Sequence, residues 1–268
     1  MFRSIYVNLI ISAICFNFFV NGEVSERLNN IKIFFDSPTR DKMGYRGPNI
    51  KANGELNVIR SLIRPGDLVF DVGANVGKWS DSVTSNVTDV TLYAFEPLPS
   101  VFDELSENFK NKNGFAYNLA LSNFIGTKEF YYYHNHSTNS GFYDRKILRE
   151  DYKLSPEEVR VRVDTLDVFC QKNEINKIDF LKIDTEGEEL NVLLGAVNLL
   201  KARSISIIQF EYGGCYIDSK STLREVYELL SGFGYSVYRI DYEGLIKISN
   251  WRDELENYKY SNYLAVVS

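Results

Sequence analysis

Carboxylates close four apolar runs of this chain. Asp71 lies in "LVFDV", Glu96 follows "VTLYAF", Asp184 follows "KIDFLKI" and opens "DTEGEE", and Glu211 follows "ISIIQF". A carboxylate in such a place can face a cation, accept hydrogen bonds from paired hydroxyls, take a proton from an alcohol, or hold a hard metal ion. Lys182, Asp184 and Glu186 fall on one side of an extended chain, because side chains alternate with period two. Asp184 or Glu186 is therefore the candidate general base, with Lys182 to hold an acid or a developing oxyanion. The competing reading makes Glu186, Glu188 and Glu189 first-turn acids of a following helix, facing the positive end of its dipole. The acidic pair suits Mg²⁺ by ligand type alone, so no metal ligand is assigned.

Gly73 and Gly77 follow Asp71 in "DVGANVGKWS". Glycines between a buried strand and a helix open a nucleotide-type loop, where backbone must come close to a ligand. A dinucleotide fits poorly. Its fingerprint needs a third glycine, and Trp79 and Ser80 stand there instead. Its pyrophosphate would also lie near Asp71, and two unit charges about 4 Å apart interact by roughly 4 kcal/mol at an effective dielectric of 20. S-adenosyl-L-methionine has no phosphate and carries a sulfonium and an ammonium, which suit a rim of acids. The 25-residue step from Asp71 to Glu96 puts a second acid at the next strand end. There it can accept both hydroxyls of a ribose.

The elements that must position these residues alternate. A helix is expected at 55–63, then apolar strands at 68–72, 90–95, 114–121, 177–184 and 205–211. Helices are expected at 77–86, 98–112, 164–173, 188–201 and 221–232. "TKEFYYY" (127–133) reads as an inserted or edge strand and 158–163 as an alternating one, with a polar loop holding His134 and His136 after the first. Further strands are expected at 235–240 and in the terminal "NYLAVVS". Strands alternating with helices predict an α/β fold with a doubly wound, mostly parallel sheet and helices on both faces. In such sheets ligands lie beyond the carboxyl ends of the strands, where these acids fall.

The successive pieces "DVGANVGKWS", "AFEPLPSVFDELSENF", "NLALSNFIGTKEFY", "VRVDTLDVF", "IDFLKIDTEGEELNVLLGA" and "IIQFEY" resemble the motifs of the FkbM-type methyltransferases, a family of class I S-adenosylmethionine-dependent enzymes. The resemblance covers residues 55–241 in order. It implies a Rossmann-like, seven-stranded sheet whose last strand, "NYLAVVS", is antiparallel. It also implies methyl transfer to a hydroxyl oxygen, often of a sugar or natural product. By position it places Asp71, Gly73, Asn75 and Gly77 in the cofactor loop and Glu96 on the ribose. "NLALS" would wall the adenine, with Asn118 and Ala120 as its contacts. A non-catalytic binding domain on the same fold, or an NAD-type oxidoreductase, are the competing functions.

The 268-residue chain bounds these readings. Hydrophobic residues make up 44% and charged residues 25%, a globular composition. A net charge of -6, without a basic stretch, argues against a nucleic-acid partner, and the small-molecule or glycan acceptor is what the resemblance implies. The first 22 residues stand apart. Arg3 precedes an apolar run from Ile5 to Val20, shorter than the roughly 20 apolar residues of a membrane span. The run reads as a signal peptide cut after Gly22, for the secretory pathway, with a membrane anchor as the alternative. Residues 23–54 are then a lead-in, and 55–268 the methyltransferase domain. Cys170 and Cys215 are expected to be free buried thiols. The sequons at Asn86 and Asn135 matter only in a secretory compartment.

Overall fold

The computed structural model describes residues 22–35 and 47–268. The expected signal peptide or anchor lies outside these, except for Gly22, which opens a helix over residues 22–28. No helix among the described residues is long and apolar enough to cross a membrane.

Twelve strands are described: β1 (Ile33–Phe35), β2 (Leu68–Val72), β3 (Thr91–Phe95), β4 (Gly114–Tyr117), β5 (Ala120–Leu121), β6 (Gly126–Tyr132), β7 (Glu157–Asp164), β8 (Ile178–Ile183), β9 (Ile205–Tyr212), β10 (Tyr235–Asp241), β11 (Gly244–Lys247) and β12 (Ser261–Val267). Nine of them form one sheet in the order β1-β11-β10-β12-β9-β8-β2-β3-β4. The seven from β10 to β4 match the expected sheet. All run one way except β12, which pairs antiparallel with β9 and β10.

The count of seven is nevertheless corrected to nine. The chain turns back after β10, so β11 adds antiparallel to it, and β1 adds parallel to β11. The expected strand at 114–121 is also two strands. Asn118 donates its side-chain amide to the carbonyls of Glu96 and Pro97, at 3.0 and 2.9 Å. This turns the chain away, and β5 joins β7 and β6 in a separate three-stranded sheet. The helix expected over 188–201 breaks as well, into Glu189–Leu194 and Val197–Lys201. At the break the Gly195 carbonyl accepts from the Asp167 N–H at 2.9 Å.

The large sheet is covered on both faces, which is why its central strands are continuous apolar runs. In β8, Phe180 packs in one layer and Leu181 and Ile183 in the other, as period-two alternation requires. The first layer includes Val58, Ile59 and Leu62 of the helix Glu55–Leu62 and Val83 of the helix Lys78–Asn86. The second includes Val192 and Leu193, and Leu223, Val226 and Leu230 of the helix Leu223–Gly232. With β2 central, β3 leaves to one side and β8 to the other. The carboxyl ends of β2, β3, β8 and β9 therefore meet where the winding reverses.

Candidate active site

Asp71 ends up behind the loop it was expected to serve directly. Its side chain is fully buried; one oxygen accepts from Ser80 Oγ at 2.8 Å and the other from Lys182 Nζ at 3.3 Å. It lines neither of the two cavities described below. A carboxylate on a covered central strand must find partners within the protein, and here it anchors the loop and Lys182. The two glycines also answer to the protein's own packing. Gly73 has φ 79°, and a Cβ there would lie 1.8 Å from the Asp184 carbonyl oxygen. Gly77 has φ 86°, and its Cβ would meet Leu105 Cδ1 at 3.0 Å. Gly73 lines both cavities and Gly77 neither.

The first cavity, about 650 Å³, opens between the ends of β2, β3 and β8. Glu96 stands at its wall, 5% exposed. Its oxygens accept from the N–H groups of Asn75 at 3.0 Å and Leu98 at 2.9 Å. Burial raises its pKa to about 7; these two bonds pull it down and nearby Asp71 pushes it up. Leu119, Ala120 and Leu121 form an apolar side together with Phe95, Phe130 and Phe142. Ala120 thus lines this cavity. Asn118 is not in the wall, because its amide is committed to the two carbonyls that turn the chain. Glu188 closes the far end, accepting from Ser122 Oγ at 2.5 Å and Tyr143 OH at 2.6 Å.

A second cavity, about 930 Å³, adjoins the first. The two share Gly73, Asn75, Thr138, Asp184 and Glu186. Its other walls bring Pro48 and Ile50 of the lead-in together with Glu55, Trp79, Lys182, Glu211 and Tyr260. The segment between β6 and β7 roofs both. Ser137, Ser140 and Phe142 cover the first cavity and Thr138 reaches the second. Asn75, at φ 49°, donates its side-chain amide to Ser137 Oγ at 3.2 Å and so ties loop to roof. None of these roof residues belongs to a motif; only their later contact with "GAN" makes them part of the site.

The expected Lys182–Asp184–Glu186 group assembles, with one change of partner. Lys182 Nζ lies 3.1 Å from Asp184 Oδ2 and 3.3 Å from Asp71 Oδ1. Burial opposes its charge, but Asp184, Asp71 and Glu55 together hold its pKa above the ordinary value. Glu186 instead meets Arg145, whose Nε also lies 3.2 Å from Asp218 Oδ2. Arg145 carries no sequence signal for this role. Glu186 is itself strained, at φ 56°, and such backbone gathers at functional sites.

The acids divide by charge state. Burial would raise the Asp184 pKa, but Lys182 and a hydrogen bond from Glu211 hold it below the usual carboxylate range. Burial raises Glu186 to about 8 despite Arg145, with Asp184 and Glu189 adding to the rise. Burial also pushes Glu211 well up, reinforced by the charge of Asp184. Glu189 caps the turn before its helix, accepting from Thr185 N at 2.7 Å and Gly187 N at 3.0 Å. The helix-start reading therefore holds for Glu189 and not for Glu186. Asp184, Glu186 and Glu211 bring oxygens within 4.8 Å of one another, and Lys182 and Arg145 already meet two of the three.

The histidines stand apart. His134 pairs with Glu157 at 2.7 Å on the surface, and neither His134 nor His136 lines either of these two cavities. Cys170 and Cys215 are free and buried.

Residues 71–237 match the family described as the methyltransferase FkbM domain, which is more than half of the chain. The chain is 30% identical over 199 residues to the 31-O-demethyl-FK506 methyltransferase FkbM of Streptomyces tacrolimicus, covering 65% of this chain and 75% of that protein. It is also 30% identical over 169 residues to the hexuronic acid methyltransferase AglP of Haloferax volcanii, covering 60% of this chain and 64% of that one. A TehB-like SAM-dependent methyltransferase from Corynebacterium glutamicum superposes at a TM-score of 0.42 with 8% identity, over 80% of this chain and 88% of that one, too loosely to carry weight. The motif order, the two joined cavities and the family match lead to one conclusion: the chain belongs to the FkbM methyltransferase domain family and is a methyltransferase.

Proposed function

We propose that the protein transfers the methyl group of S-adenosyl-L-methionine to a hydroxyl oxygen of a sugar, glycan or other small hydroxylated acceptor. The observation that carries this is the shared wall. One cavity is flanked by Glu96 and an apolar side, the other by hydrogen-bonding acids, and they meet at Asp184 and Glu186. The residues fit the cofactor. Glu96 would hold the ribose hydroxyls, Ala120 and its neighbours the adenine, and the Gly73–Asn75 backbone the rest, with Asp71 fixing that loop from behind. When bound, the cofactor supplies an electrophilic methyl carbon on a sulfonium leaving group. The name of the Haloferax relative, a hexuronic acid methyltransferase, supports a sugar ring in the acceptor, although the acid-lined second cavity of this chain does not favour the anionic part of that substrate.

The chain's own residues do the rest. The shared wall aligns the acceptor oxygen toward the donor cavity, which is most of what a displacement at carbon needs. Asp184 faces both cavities and stays ionised, so it takes the hydroxyl proton as the new C–O bond forms. Placement outweighs base strength here, because an oxygen that gains a methyl group becomes strongly acidic. Lys182 holds Asp184 in its charged form. Glu186, fixed by its hydrogen bond from Arg145, stands beside Asp184 on the shared wall.

Methyl-labelled cofactor incubated with a panel of hydroxylated acceptors tests this. Label should appear as an ether, and Asp184→Asn should cut kcat at least 100-fold while cofactor Kd stays within threefold. Full turnover by that variant would remove Asp184 as the base. Tight cofactor binding with no labelled product from any acceptor would sink the transferase reading.

The apolar start of the chain supports entry into the secretory pathway, with membrane anchoring as the alternative. Asn86 and Asn135 are both exposed. A mobility shift on deglycosylation of protein from secreting cells is expected, and its absence would count against a lumenal domain.

A further inference from the structure

The second cavity is unusual in the sign of its wall. Glu55, Asp184, Glu186 and Glu211 all line it, and Tyr260 adds a phenol. Each buried cation near them is already engaged. Lys182, 4% exposed, is held by Asp71 and Asp184. Arg145, 8% exposed, is held by Glu186 and Asp218. Among the described residues, Lys78 is the one lining cation without an ion pair, and it lies exposed at the rim.

Resting on the function proposed above, we infer that the acceptor is an uncharged, hydroxyl-dense molecule, and that analogues bearing a carboxylate are rejected. A carboxylate brought into this cavity would lose its water and meet no free buried cation. It would also approach the ionised Asp184 at close range. Hydroxyls meet the opposite situation. Burial pushes Glu211 toward its neutral form, in which it hydrogen-bonds Asp184. Carboxyl oxygens accept from hydroxyls, and the Tyr260 phenol can donate as well as accept, so the wall can satisfy several hydroxyls. Glu55 accepts from the side-chain amides of Asn53 at 2.5 Å, Gln209 at 2.7 Å and Asn262 at 3.0 Å, which fix its carboxyl in the wall. Such preorganised partners are what let a polar site discriminate strongly between closely related substrates.

The test is a panel of neutral hexopyranosides, each paired with its uronic acid, assayed with labelled cofactor and the full chain. The expected result is a kcat/KM at least tenfold higher for the neutral member. Equal or faster methylation of the uronic acids, as ether or ester, would overturn the inference while leaving the transferase reading intact. Methylation of no member would overturn both. Lys78→Ala should leave the ratio within threefold. A selective fall in uronic acid turnover would show that the rim lysine recruits an anionic group, and would also overturn it.

Discussion

Glu96 has both carboxylate oxygens committed to backbone N–H groups on either side of the first cavity. The carboxylate therefore sets the shape of the loop as well as its charge. In Glu96→Gln, one oxygen becomes an NH₂ group that must face an N–H it cannot bond. A buried donor left unpaired costs about 1–3 kcal/mol, which is about one to two decades in an equilibrium constant. The expected result is a cofactor Kd raised about tenfold or more, measured by calorimetry, with kcat at saturation changed far less. The native protein should also bind cofactor more tightly as pH rises through about 7, because ionised Glu96 is the better acceptor for ribose hydroxyls. The variant should lose that dependence. A pH-independent Kd in the native protein would remove Glu96 from the ribose site. Asp71 makes a contrasting case: its residue type was legible and its role was not. Its covered strand turns it toward Ser80 and Lys182.

At the scale of elements, the site depends on how closely two strand ends approach. Gly73 at the end of β2 leaves no room for a Cβ against the Asp184 carbonyl beyond β8, and it sits at positive φ. Gly73→Ala thus meets a backbone clash and a backbone conformation that alanine resists. The expected loss of stability exceeds about 3 kcal/mol by denaturant unfolding, in the range reserved for named structural faults. A loss under about 1 kcal/mol would show that the two ends can part. The strands were legible because β2, β3, β8 and β9 are apolar runs that end in acids or glycines. The extra edge was not, because β11 is four residues long and has little pattern of its own. The roof was not legible for a different reason. Ser137, Thr138 and Phe142 lie in a polar stretch without periodicity, and Arg145 meets Glu186 across 41 residues of sequence. Such pairings follow from the topology and leave no local mark.

At the scale of the whole molecule, the protein buries more acid than it neutralises. Glu96 and Glu189 titrate at about 7 and Glu186 at about 8, against an ordinary glutamate value of 4.5, with burial the largest cause for each. A raised carboxyl pKa means that the folded state holds protons that the unfolded chain has released. Between about pH 4.5 and 8 the folded state therefore binds more protons, and stability must fall as pH rises. The stabilisation is fully present below 4.5 and is lost through about 8. Asp184 has the opposite sign: its lowered pKa contributes stability above its unfolded value, lost on further acidification. It does not offset the others over the neutral range, where it is ionised in both states. Tm should thus decline from pH 5.5 to 8.5 by several degrees, since about 1 kcal/mol corresponds to roughly 2–4 °C in a chain of 150–250 residues. Glu186→Gln and Glu189→Gln should flatten the slope at its upper end, because neither amide titrates. Calorimetric melts at fixed ionic strength would check this. A Tm that rises across the interval would mean that these carboxyls are already ionised in the folded state, with cations or water supplied to a cluster that two buried basic groups, Lys182 and Arg145, only partly balance.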